Sequence, residues 1–210
     1  MKTNGKAILV SAFSIPIMKI ENGLVLPKKD IKYLESLPIR EGKEGLKAGN
    51  VATSKNMFLL QTDKRLEVVK NYMDTYVTDY LNKTLCVDND FEMTNSWVAR
   101  TKTEHHQHNH KSAIVSVVYY ASADDSTICF VRDHNWLTTA YDFDLQIKEY
   151  NQYNSTILDF DVKTGDFMIF PGWLHHKALN NSKNIKTIVG ASYFIRGELG
   201  SELNTTSLTI

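Results

Sequence analysis

The stretch Thr156–His176, TILDFDVKTGDFMIFPGWLHH, decides the fold. Thr156–Asp161 and Asp166–Phe170 are short runs rich in Ile, Leu, Phe and Met. Between them Lys163-Thr164-Gly165-Asp166 has the composition of a turn. The second run stops at Pro171-Gly172, and a histidine pair, His175-His176, follows at once. Outward from this hairpin the same texture recurs. Phe91–Thr101, Ala113–Ser122, Thr127–Val131 and Ile185–Ile195 are rich in Val, Ile, Tyr, Phe and Thr and are separated by Asp, Asn, Gly and Lys clusters. So many short strands in one half of a chain predict an antiparallel barrel or jelly roll.

The first ninety residues read differently. Residues 7–20 predict a strand bent at Pro16, Pro27–Leu37 a short helix opened by proline, and the Gly- and charge-rich residues 38–56 a loop. Asp63–Leu85 predicts the longest helix. Leu66, Val69, Met73, Tyr76, Val77, Tyr80 and Leu81 form one apolar stripe for packing on a sheet, and Asp63 is placed to cap its start. Helices followed by strands define an α+β protein. We read residues 1–210 as one domain: helical support over 1–90, a β core over 91–196 and a tail over 197–210. His134–Asn154 is polar, aromatic and long for a hairpin connection, so it predicts an insertion or a substrate-gating segment.

Twenty-four basic and 24 acidic side chains give a formal net charge of zero. That balance argues against coating nucleic acid or an anionic membrane, which needs a surplus of Lys and Arg. A protein side chain or small molecule is the expected substrate rather than nucleic acid, and a homodimer is one open oligomeric state. Cys86 and Cys129 make no disulfide framework. No run reaches the 18 or so apolar residues that span a bilayer, and the apolar run Ala7–Met18 lacks a small-residue cleavage site. A cytoplasmic protein is expected, and the sequons at Asn82, Asn154, Asn180 and Asn204 then carry no meaning. The Asn-, Lys-, Ile- and Tyr-rich usage fits an AT-rich genome such as a phage's.

Six of the seven histidines fall in two clusters, His105, His106, His108 and His110, then His175 and His176; His134 stands alone. Residues two apart on an extended segment share a side, so His108 and His110 can face one metal ion, with His176 as a third ligand from a later strand. Neutral imidazole suits iron, zinc, copper and nickel. A solvated His-rich loop is the plain rival reading, and His106 with His108 is a one-step register alternative. No Gly-rich phosphate loop, G-x-S-x-G elbow or Cys-His nucleophile pair supports a kinase or hydrolase.

The order Trp97, His108-Asn109-His110, Ser116, Tyr119-Tyr120, then Gly165-Asp166-Phe167-Met168-Ile169-Phe170-Pro171-Gly172-Trp173-Leu174-His175-His176 resembles the 2-oxoglutarate/Fe(II)-dependent oxygenase superfamily. The likeness is to a branch of small bacterial and phage proteins with an HxH…FPxWLxH pattern, and Phe13–Ile17 resembles that branch's opening strand. The resemblance implies a double-stranded β-helix, a cupin-like jelly roll, with the N-terminal helices packed on its sheet. It implies an oxidoreductase, a dioxygenase and hydroxylase using Fe(II), 2-oxoglutarate and dioxygen. Its metal ligands would be His108, His110 and His176. His110 stands where most of the superfamily has an aspartate, which removes a negative charge unless a carboxylate such as Glu104 substitutes. Lys186, ten residues after His176, matches the cation that pairs the far carboxylate of the oxoacid, where Arg is usual. Tyr120 is a candidate cosubstrate contact, with Arg196 and Arg100 as fallback cations. Trp97, Trp173 and Tyr119 are expected to pack rather than touch substrate. Two rivals remain: a three-histidine cupin-like dioxygenase needing no oxoacid, and a silent metal-stabilised binding module.

Overall fold

The computed structural model describes residues 8–40, 51–132, 145–201 and 206–210. Two sheets face each other. The larger has the order β1 (Met18–Ile20), β8 (Phe167–Pro171), β5 (Val115–Ser122), β10 (Lys186–Arg196), β3 (Asp90–Thr101) and β2 (Val51–Thr53). The smaller has the order β4 (Glu104–His108), β9 (His175–Asn180), β6 (Ser126–Val131) and β7 (Ile157–Val162). All pairings within the two sheets are antiparallel. From β3 to β10 the chain passes back and forth between the sheets, which is the double-stranded β-helix that the resemblance implies.

Alternation along the strands divides the core in two. On β5, Val115, Val117, Tyr119 and Ala121 face a helical layer, and on β10 Val189, Ala191 and Tyr193 do the same. Helix α3 (Glu67–Asp79) covers that face with Val69, Met73 and Val77, all buried. The opposite set, Val118 and Tyr120 of β5, Met168 and Phe170 of β8, Ile128 and Phe130 of β6 and Ile188 of β10, fills the space between the sheets. Helix α1 (Lys28–Ser36) and the single turn α2 (Leu59–Thr62) add Leu34, Leu59 and Leu60 to the helical side.

Local chemistry departs from the sequence expectation at several elements. Among the described residues of the predicted strand 7–20, only Met18–Ile20 pairs with a sheet. Upstream of it, Ile8, Leu9, Val10 and Phe13 are exposed, and Phe13 adopts a positive φ of 56° that turns the chain. The predicted loop 38–56 contains β2, which pairs with β3; residues 41–50 lie outside the described set. The predicted helix 63–85 is built in three pieces. Asp63 does cap, accepting from the Arg65 backbone N–H at 3.0 Å, but it caps a 3-10 turn, Lys64–Leu66. After α3 the chain widens into a five-residue π-turn, Tyr80–Thr84. Residues 134–144 of the predicted gating segment lie outside the described residues. The tail forms a small hairpin, β11 (Glu198–Ser201) with β12 (Thr206–Thr209).

Candidate metal centre

β4 and β9 bring the two histidine clusters together. In their antiparallel register His108 stands directly opposite His176. His108 ends β4, and His110 lies in the loop that follows rather than on an extended strand. That loop is fixed to the β8–β9 turn: the His110 backbone N–H donates to the Gly172 carbonyl at 2.8 Å, and Asn109 Nδ2 donates to the Trp173 carbonyl at 3.3 Å. Gly172 must be glycine here, since a Cβ would sit 2.3 Å from the Ala113 carbonyl oxygen. The FPGW turn therefore positions His110 as well as His176.

The ligand atoms of His108, His110 and His176 all lie within 4.8 Å of one another. Ring centroids are 4.4 Å apart for His108 and His176, 5.4 Å for His108 and His110, and 5.3 Å for the nearly parallel rings of His110 and His176. The Nδ1 of His108 is 2.8 Å from the His106 carbonyl, and that of His176 is 3.0 Å from the Leu174 carbonyl. A carbonyl only accepts, so both Nδ1 atoms carry the proton and each Nε2 is left with its lone pair for a metal. The Trp97 indole stacks on the His110 ring at 5.3 Å and occupies the space that the missing side chain of Gly190 leaves. The packing role expected for Trp97 is thus also a positioning role.

Burial keeps these imidazoles neutral. It pushes His176 down to about 3 and His110 down to about 4, and it lowers His108; proximity of the other rings adds to each shift. His105 is also pushed down to about 3 by burial. An irregularity between His105 and His108 in β4 puts their rings 4.2 Å apart. Strict two-residue alternation hides that neighbour, so His105 is a site residue that sequence spacing missed. His105, His106 and His108 form a second close group, although His106 is exposed. Among the described residues no carboxylate joins either group, and Glu104 is exposed. His175 instead binds Asn109 Nδ2 at 3.1 Å.

Lys186 begins β10 and is 2% exposed. Its Nζ donates to the Leu179 carbonyl at 2.8 Å, and burial pushes it down to about 8. Tyr120 lies across the register from Ile188 in the space between the sheets, where burial raises its phenol well above the usual range. Both Lys186 and Tyr120 are within electrostatic reach of the Cys129 thiol. The structure thus places Lys186 and Tyr120 in one interior. Arg196 is not brought there: it ends β10 at the far side, half exposed, paired with Glu92. Arg100 is likewise held elsewhere, donating to the Glu35 carbonyl. Ser116 faces the interior with Val118 and Tyr120, and its buried Oγ has no partner among the described residues. Three neutral nitrogen donors, a buried cation and an orphaned hydroxyl in one barrel fit a divalent metal with an anionic chelator.

Residues 95–191, nearly half of the chain and the segment holding all of these groups except Arg196, match the family described as "Putative 2OG-Fe(II) oxygenase". No curated protein matches the chain. Among solved structures, HygX from Streptomyces hygroscopicus, crystallised with nickel, 2-oxoglutarate and hygromycin B, is 13% identical with a TM-score of 0.55, covering 85% of this chain and 82% of its own. A prolyl-4-hydroxylase from Pseudomonas putida is 12% identical with a TM-score of 0.56, covering 88% and 95%. A Trichoplax adhaerens prolyl hydroxylase, in complex with a hypoxia inducible factor peptide fragment, is 13% identical with a TM-score of 0.57, covering 85% and 83%. Identities this low establish the fold. The matched segment is thus similar to the 2-oxoglutarate- and Fe(II)-dependent oxygenases, a family whose cofactors are Fe(II), 2-oxoglutarate and dioxygen, and the chain shares their fold. Among the described residues no helix is long and apolar enough to cross a membrane.

Proposed function

We propose that the protein is an Fe(II)/2-oxoglutarate-dependent hydroxylase, with iron held by His108, His110 and His176 and the far carboxylate of the oxoacid paired by Lys186. The observation that carries this reading is a buried lysine inside the same barrel as three clustered imidazoles, two of them, His108 and His176, with Nε2 left free. A lysine in that position costs desolvation energy that an incoming carboxylate offsets. The metal, when bound, supplies the redox chemistry that places one oxygen atom of dioxygen in succinate, as the oxoacid loses carbon dioxide, and the other in a substrate C–H bond as hydroxyl. The chain's own residues prepare that step. The His106 and Leu174 carbonyls fix the His108 and His176 tautomers, Trp97 holds the His110 ring, and Phe130 and Phe170, packed against His176, keep water out. Tyr120 and Ser116 face the same interior and offer hydroxyl groups to the oxoacid.

Anaerobic Fe(II) titration with and without 2-oxoglutarate tests the proposal. A visible charge-transfer band that needs both components, and disappears in His108→Ala and His176→Ala, is expected. Tight iron binding without a band would overturn the oxoacid assignment. The all-histidine donor set favours, as a second reading, a cupin-like dioxygenase, which consumes oxygen with no oxoacid present. Protein side chains and small molecules are the substrate classes proposed, in line with a chain of zero net charge.

A further inference from the structure

Beside the metal centre lies a cavity of about 300 Å³, small for a ligand site but within the usual range. It opens at the same end of the barrel as the histidines, because β6 ends at Val131 opposite His175. Two of its walls touch the metal centre directly. Phe130 faces the His176 ring at 6.3 Å between centroids, and the Leu174 carbonyl holds His176 Nδ1. Ile15 and Ile17 of the N-terminal segment and Leu158 of β7 complete an apolar lining. Ser11 Oγ and Tyr153 Oη, 3.1 Å apart, tie that segment across the cavity.

One charged group lines this space, Arg132, and no Asp or Glu does among the described residues. Its backbone N–H is fixed by the Thr156 carbonyl at 3.0 Å, and its Nη2 donates to the Tyr153 carbonyl at 2.9 Å. Its Nε is buried and has no hydrogen-bond partner among the described residues. A buried guanidinium N–H without an acceptor is costly, and an anionic oxygen is the strongest acceptor it could be given.

We infer that this cavity binds a small molecule with an apolar body and one carboxylate, the carboxylate on Arg132 and the apolar body along Phe130 and Leu174 toward the histidines. A carboxylate is matched in charge by a single guanidinium, whereas a phosphate dianion would leave a buried surplus. Arg132 lies two residues beyond Phe130 along the strand direction, about 7 Å at the usual rise. The carbon presented to the metal is therefore several bonds from the carboxylate. The inference gives the hydroxylase proposed above its substrate class and rests on that reading for the chemistry, while the binding stands without a metal.

The test is calorimetric titration of the metal-free protein, residues 1–210, with octanoate, 1-octanol and octyl phosphate. Octanoate should bind saturably at one site, at least tenfold more tightly than octanol and more tightly than octyl phosphate. Arg132→Gln should weaken it roughly tenfold or more, as loss of a charge-assisted bond requires. Leu158→Trp, which fills the cavity from an edge strand, should weaken it independently, with folding of both variants checked by circular dichroism. Absence of saturable octanoate binding, equal affinity for octanol, preference for octyl phosphate, or indifference to both substitutions would overturn the inference. The charge-transfer band is measured separately on the wild-type protein without fatty acid. Its absence, with octanoate binding intact, sinks only the oxygenase reading; its presence, with no octanoate binding, sinks only this one.

Discussion

Lys186 and the histidines put opposite demands on protonation. Burial holds Lys186 near 8, so it remains mostly cationic at neutral pH and loses its charge as pH rises through that value. A carboxylate binds the protonated form and draws its pKa upward, so 2-oxoglutarate affinity should be flat below pH 8 and fall above it. Titration of the iron-loaded protein between pH 7 and 9.5 checks this, and Lys186→Arg should abolish the decline, since arginine stays charged throughout. A decline of equal size in Lys186→Arg would show that another group binds the carboxylate. Lys186→Met should weaken the oxoacid roughly tenfold or more while leaving metal affinity in place. The lysine was legible in the sequence only through its distance from His176. Its burial, and the orphaned Ser116 hydroxyl facing the same interior, follow from strand parity that spacing alone does not set.

Two joints between elements hold the ligand set, and neither stands out in composition. At the first, the Gly172 carbonyl accepts from His110, with the Ala113 carbonyl too close to admit a side chain. Gly172→Ala should cost about 1–3 kcal/mol of stability through a backbone clash that cannot relax cheaply. It should also lower metal affinity by moving His110 away from His176; thermal unfolding and metal titration report the two effects separately. At the second, Asn180 ends β9 with its Nδ2 donating to the carbonyls of Lys102 at 2.7 Å, Asn184 at 2.8 Å and Thr101 at 3.2 Å. It fastens the β3–β4 corner from which His105 and His108 project. Asn180→Leu would bury carbonyls without partners, at about 1–3 kcal/mol, and a variant as stable as wild type would refute that role. The sequence marked Asn180 only as a sequon. The strands around it were legible where their apolar runs are long, as in Ala113–Ser122. They were not legible in Glu104–His108, whose polar side chains give no periodicity and whose irregularity breaks alternation.

Across the whole molecule, the jelly roll and its helical cover were readable in the many short apolar runs and in the single stripe of residues 63–85, which the structure buries on two faces, one against α3 and one between the sheets. The N-terminal segment was misread as a long strand because apolar composition alone does not distinguish a paired strand from a stretch lying across a cavity. The barrel also changes how protons act on the site. His105, His110 and His176 are held neutral by burial down to about 3, 4 and 3, well below the ordinary imidazole value, and His108 is lowered too. An unfolded chain binds these protons near pH 6.5 and the folded chain does not. Metal-free protein is therefore fully stable, in this respect, above that value, and loses stability as pH falls from about 6.5 toward 4. The fall should appear as a drop in the unfolding temperature over that window, and it should be smaller in His105→Phe, which removes one such group without removing a proposed ligand. The same neutrality predicts that protons compete poorly for the metal while the fold persists. Divalent-metal affinity of the folded protein should change less than about tenfold between pH 7.5 and 5.5, whereas an exposed triad titrating near 6.5 would lose far more. A steep loss over that interval would mean that the three imidazoles are open to water, and the dry chamber on which the oxygenase chemistry depends would have to be abandoned.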